Sequence, residues 1–270
     1  MRIFRYYKCE HGLLVLKDLE IRTSIPNELN DPFELAPNID PAQFSQGRLE
    51  ALLRQDHYVD EAYRDEGQRL GLGRKEFKRL YLKDVSRRAA EAIPNIPKNV
   101  ERVRKNFADR FSKYWRLVCA SLVHDSILMW SHYTKDHTGL VLAFDTDQPP
   151  FSQIPDDCWL IVKYSNNKAD YVYSEIDREF REKMFAVAAT KATDWSYEKE
   201  LRIVLADTSL RERRFLGLTT HSIAAVYFGC RTSIADKNAV KSALLSASFR
   251  HVELWHGLLD ESKYALKFES

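Results

Sequence analysis

The stretch Trp195-Ser196-Tyr197-Glu198-Lys199-Glu200-Leu201-Arg202 holds the side chains best suited to chemistry in this 270-residue chain. From Glu200 to Leu205 the residues alternate with a period of two. Glu200, Arg202 and Val204 point to one face of an expected strand, and Leu201, Ile203 and Leu205 to the other. The polar face sets a carboxylate two residues from a guanidinium, about 7 Å apart along the strand. Trp195 and Tyr197, just upstream, could wall a ring-shaped ligand. The competing reading is a solvated strand face carrying a Glu/Arg pair. Glu200 is expected to point inward and Glu198 outward, an assignment that a bulge near Lys199 would reverse.

Three further stretches hold candidates. Arg5-Tyr6-Tyr7 closes an expected first strand at 2–7. Asn30-Asp31-Pro32-Phe33 is rich in residues that fix φ or bond their own backbone. It is either a capped turn or a rigid loop that presents Asn30, Asp31 and Phe33 to a ligand. Asp125 can cap a short helix at 126–133, where Trp130 and Tyr133, three apart, share a face. His132 lies between them and His137 follows. Each has a structural reading too: an ion pair with Asp31 or Glu34 for Arg5, core packing for Trp130 and Tyr133, and a satisfied, partly buried ring for His132. Nothing matches GxGxxG or GxxxxGK[ST], which disfavours P-loop and Rossmann phosphate cradles.

The elements that must position these residues form an α+β pattern. Apolar strands are expected at 117–122, 140–144, 158–164 and 222–228, with a helix from Glu175 to about Lys191 and a charged loop containing Arg211, Arg213 and Arg214. Between 36 and 116 the period becomes helical, and we expect a helical insert there within a single domain spanning 1–270. Residues 48–115 carry 17 Lys/Arg against 11 Asp/Glu, so the insert could face a nucleic-acid or protein partner. The whole chain has a net charge of only +2, which implies neither nucleic acid nor membrane. The four cysteines are scattered, without CxxC spacing, and no run resembles a signal peptide or membrane span. A cytoplasmic protein with no membrane partner is expected.

Read together, the motifs resemble the bacterial family known as domain of unknown function 2971. The shared residues are the Arg-Tyr-Tyr start, Ser24-x-Pro26-x-x-Leu29-Asn30-Asp31-Pro32-Phe33-Glu34, Cys119-x-Ser121, and Met129-Trp130-Ser131-His132-Tyr133 with His137-x-Gly139. Trp195-x-Tyr197-Glu198-Lys199-Glu200-x-Arg202 and Val226-Tyr227-Phe228-Gly229 complete them. Leu29 stands where an aromatic is usual, and Leu201 where Trp is usual. The pattern also looks like an ADP-ribosyltransferase pocket on a split or highly twisted mixed β-sheet, with DNA-targeting toxins as the nearest analogy. That likeness implies NAD as cofactor, no metal, and an effector of toxin or phage-defence type. It makes Glu200 the catalytic carboxylate, with His132 orienting the ribose and Arg5 on the phosphates. Asn30, Asp31, Trp130, Tyr133, Tyr197 and Arg202 would complete the cofactor site. Two alternatives stay open: a metal-dependent nuclease or phosphodiesterase using His132, His137, Asp125, Asp145 and Glu200, and a non-enzymatic binding module.

Overall fold

The computed structural model describes residues 1–105, 107–171, 177–206 and 214–270. The expected helix start at Glu175 and the loop residues Arg211 and Arg213 lie outside them. The described helix there spans Asp177–Ala188. The chain divides into two compact units. One comprises Met1–Leu35, Ala108–Lys168 and Met184–Ser270, and the other Ala36–Phe107 with Ala169–Lys183. Helical structure runs on through the helix Phe107–Tyr114, whose Phe111 sits against Trp115 and Phe185 in the first unit.

The first unit carries the strands. They are β1 (Arg2–Tyr7), β2 (Glu20–Arg22), β3 (Trp115–Ser121), β4 (Leu140–Asp145), β5 (Trp159–Ile161) and β6 (Lys163–Tyr164). There follow β7 (Thr190–Lys191), β8 (Glu200–Ala206), β9 (Phe215–Gly217), β10 (Ile223–Phe228), β11 (Glu253–Leu259) and β12 (Leu266–Glu269). Eight of them form one mixed sheet in the order β12-β11-β10-β4-β1-β3-β8-β5. β10 and β11 run parallel, and the other pairs are antiparallel.

Strand β4 reads LVLAFD, and its first five residues are fully buried. Its continuous apolar run is what a strand covered on both faces requires. Ile3, Leu142, Phe144, Leu201 and Ile203 share one core, with Leu16 of the helix Cys9–Asp18 and Val240 of the helix Ile234–Ala243 packed in it. Phe4, Trp130, Val141, Ala143 and Tyr227 build a second, aromatic core. Strand alternation sends neighbours such as Ile3 and Phe4 into different cores.

The sheet is nearly interrupted at its centre. β1 pairs with β4 from Arg2 to Tyr7, but joins β3 through Phe4 and Ser121 alone. Farther along β3, Leu117 bonds in both directions with Ser24, which occupies the edge β1 leaves free. The strands part at Arg5 and Tyr6 on one side, and Cys119 and Ala120 on the other.

The second unit is helical, with helices at Gln46–Leu53, Asp56–Ala62, Arg74–Lys83, Val85–Ala92 and Ile96–Lys105. Val59, Phe77, Tyr81 and Val85 form its core. Several of its basic side chains are matched by acids of the same unit: Arg74 by Asp60, Lys78 by Asp56, Arg87 by Asp84 and Glu91, and Arg88 by Glu66. No helix among the described residues is long and apolar enough to cross a membrane.

Candidate functional site

Where β1 and β3 part, a cleft of about 290 Å³ opens in the first unit. Five of the expected residues line it: Arg5, Asn30, Tyr133, Glu200 and Arg202. Glu34, Lys191 and Glu198 line it as well. The expectation that Glu198 points outward is overturned, because Glu198 is 4% exposed. Lys199 is the cause. It adopts a left-handed backbone (φ 45°) between the 3-10 turn Thr193–Glu198 and β8, a conformation costly for a side chain with a Cβ. The turn is pinned to β3 where the Ser121 hydroxyl donates to the Glu198 carbonyl at 2.6 Å and Leu122 N–H to the Lys199 carbonyl at 2.9 Å. Both carboxylates consequently face the cleft.

The floor of the cleft is a buried charge cluster. Arg202 Nε donates to Glu200 Oε1, and its Nη2 to Glu200 Oε2, both at 2.8 Å. The same Nη2 reaches Glu34 Oε2 at 2.8 Å, and Nη1 donates to the Ala188 carbonyl. Lys191 Nζ stands among three carboxylates: Glu198 at 2.6 Å, Glu34 at 2.9 Å and Glu200 at 3.2 Å. It also lies 4.7 Å from the centre of the Trp195 ring. Tyr133 donates its hydroxyl to Glu198 Oε1 at 2.5 Å, and Asn30 Nδ2 donates to that hydroxyl at 3.3 Å.

These surroundings split the two carboxylates. Burial would raise Glu200, but Arg202 and Lys191 outweigh it and hold Glu200 at about 2. Burial also raises Glu198, and there the opposing pull of Lys191 and the Tyr133 bond falls short, so Glu198 stays above its ordinary value. Burial would lower Lys191, yet Glu200, Glu34 and Glu198 drive it upward and keep it charged. Arg5 sits half-buried, donating to the Arg22 carbonyl at 3.3 Å with its guanidinium 5.3 Å from the Tyr7 ring centre. Among the described residues no acid pairs with it, so the alternative reading of Arg5, an ion pair with Asp31 or Glu34, does not form.

Four expected residues lie outside the cleft lining. Trp130 is fully buried in the aromatic core and donates its Nε1–H to the His124 carbonyl at 2.7 Å. His132 is exposed, because two residues of helix turn it about 200° away from Trp130. Its ring centre is 6.0 Å from that of Tyr197, which stands beside Trp195 instead of walling the cleft. Asp31 is buried and accepts the Phe33 N–H at 2.8 Å, an Asx turn within the loop.

The His/carboxylate set weighed for a nuclease is not assembled. Among the described residues no three His, Cys, Asp or Glu side chains are grouped to hold a metal ion. His137 Nε2 is taken by Ser131 Oγ at 3.1 Å, and Lys191 Nζ fills the space between the three carboxylates.

The first unit is thus a mixed α+β sheet assembly with a charge-floored cleft at a parting of its strands. Residues 129–203 match the family model described as a protein of unknown function (DUF2971). That span includes Tyr133, Lys191, Glu198, Glu200 and Arg202, whereas Arg5, Asn30 and Glu34 precede it. No curated protein and no solved structure matches the chain.

Proposed function

We propose that the cleft binds a nucleotide, NAD, and performs an ADP-ribosyltransferase-like transfer in which Glu198, not Glu200, is the reacting carboxylate. The observation that carries this reading is the pairing of Glu198 with Tyr133 in a cleft that also holds the unpaired Arg5. Glu200 is clamped by a two-point guanidinium fork, which suits a structural ion pair. Glu198 Oε1 is held by a neutral phenol, and a ribose hydroxyl can take that place. In the transfer, the bond between ribose and nicotinamide breaks with its electron pair leaving on nicotinamide. The positive charge that builds on the ribose is offset by the carboxylate. Arg5 supplies free N–H groups for a phosphate. A volume of about 290 Å³ is at the small end for cofactor pockets and suits the nicotinamide–ribose half.

The acceptor in this reading is a nucleic acid or a protein, and the biology that of a bacterial toxin or phage-defence effector. Nicotinamide release with DNA, RNA and protein acceptors tests it. Glu198→Gln should lower release by about 10²–10³-fold, the usual size for losing one preorganised group. No release by wild type with any acceptor would refute the transferase reading.

A further inference from the structure

The cleft floor contains an odd number of buried charges. Glu34, Glu198 and Glu200 face Lys191 and Arg202, and every one of these side chains is at most 7% exposed. With all five ionised the floor holds one negative charge in excess. The other polar groups do not cancel it. Tyr133, Tyr164 and Cys119 are raised by burial and remain neutral. Glu28, at the rim, is answered by Arg22 and Arg214. Arg5 lines the cleft but is bonded to a carbonyl, in contact with none of the three carboxylates.

Geometry assigns the excess to Glu198. Glu200 touches Arg202 twice and Lys191 once, and Glu34 touches one atom of each cation. Glu198 has Lys191 as its single cationic partner and the Tyr133 hydroxyl on its other oxygen. A buried carboxylate short of positive partners takes either a proton or a cation.

We infer that the cleft takes an organic cation against Glu198 and Tyr133, and that its entry expels the proton Glu198 carries in the empty cleft. The exchange balances: Glu198 passes from carboxylic acid to carboxylate, the proton goes to solvent, and the ligand brings one positive charge. The unpaired Arg5 in the same cleft adds an anion requirement, so the preferred ligand is a cation with a phosphate-bearing tail. This rests on the proposed NAD reading and sharpens it, since the oxidised pyridinium ring is such a cation and the reduced ring is neutral.

Calorimetry on the full chain, with matched charged and neutral probes, tests the exchange. 1-Methylnicotinamide, a cation, and nicotinamide, its neutral counterpart, are titrated in buffers of different ionisation enthalpy, as are oxidised NAD and NADH. The cationic member of each pair should bind at least tenfold tighter with proton release. Its affinity should rise about tenfold per pH unit below the Glu198 titration and level off above it. Glu198→Gln should erase the preference and the proton release, and Tyr133→Phe, which keeps the charge count, should retain both. Binding of 1-methylnicotinamide with proton release, but of neither dinucleotide, would support the cation site and refute the NAD reading. Equal binding of oxidised NAD and NADH without proton release would overturn the cation site and spare the NAD reading. Binding of none of the four would overturn both.

Discussion

The Tyr133 hydroxyl meets Glu198 Oε1 at 2.5 Å across 65 residues of sequence. A helix end and a 3-10 turn are thereby fastened over the same carboxylate. Because the phenol bond favours the ionised form, Tyr133→Phe should raise Glu198 further. The acid limb of any NAD turnover should move to higher pH, while thermal unfolding detects a loss of about 1 kcal/mol. An unmoved pH profile would mean that the phenol does not tune the carboxylate.

Glu200→Gln is expected to act on the fold. The substitution leaves Arg202, 1% exposed, without its two-point partner, and breaking a buried pair typically costs about 3–5 kcal/mol. Denaturant unfolding of the variant should show that loss. A melt within about 0.5 kcal/mol of wild type would show the pair to be dispensable.

The two carboxylates should give stability opposite pH dependences. Glu200 has a folded value depressed from 4.5 to about 2, so its contribution is present above 4.5 and lost as pH falls toward 2. Glu198 has a folded value raised above 4.5. Its contribution is complete below 4.5 and lost as pH rises through the folded value. Unfolding free energies measured from pH 2 to 8 should therefore decline on both sides. Glu198→Gln should remove the alkaline decline and leave the acid one.

Lys191→Met would withdraw the ammonium shared by three buried carboxylates. Arg202 still answers Glu200 and Glu34, whereas Glu198 loses its single cationic partner, so the variant should weaken toward neutrality more steeply than wild type. A variant with wild-type pH dependence would show that Lys191 does not set the ionisation of Glu198.

Gly229 allows a close approach between β10 and the loop after the helix Ile127–Tyr133. A Cβ there would lie 2.1 Å from the His137 carbonyl oxygen. Gly229→Ala should cost about 1–3 kcal/mol through overpacking. Gly217→Ala, where a Cβ meets nothing within 4 Å, serves as the control. Equal melting of the two variants would show that the backbone relieves the clash.

The alternation of β8 made the Glu200/Arg202 face readable from the sequence, and a continuous apolar run did the same for β4. Arg5, Asn30 and Tyr133 were also recoverable as polar or aromatic residues at the ends of short elements. Three parts of the cleft were not. Glu198 enters through a left-handed Lys199, and no glycine marks that turn. Glu34 reaches Lys191 and Arg202 by tertiary packing, across more than 150 residues. Lys191 belongs to a two-residue strand, too short for periodicity to register; its signal was a lone Lys within the mostly apolar run Phe185-Ala186-Val187-Ala188-Ala189-Thr190-Lys191-Ala192. Trp130 was legible as an aromatic on a helix, but its complete burial follows from the aromatic core that the strands build around it.

The central place of β1 in the sheet has a consequence for synthesis of the chain. Strand β1 lies between β4 and β3, and β8 joins only beyond β3. Arg5 therefore leaves the ribosome nearly 200 residues ahead of the Glu198–Arg202 segment that completes its cleft. Contacts of such long sequence separation form late and slowly. A nascent chain halted before Lys191 has Arg5 and Glu34 without the other four charged groups of the floor, so the cleft is assembled only once the segment from Lys191 to Arg202 has been translated.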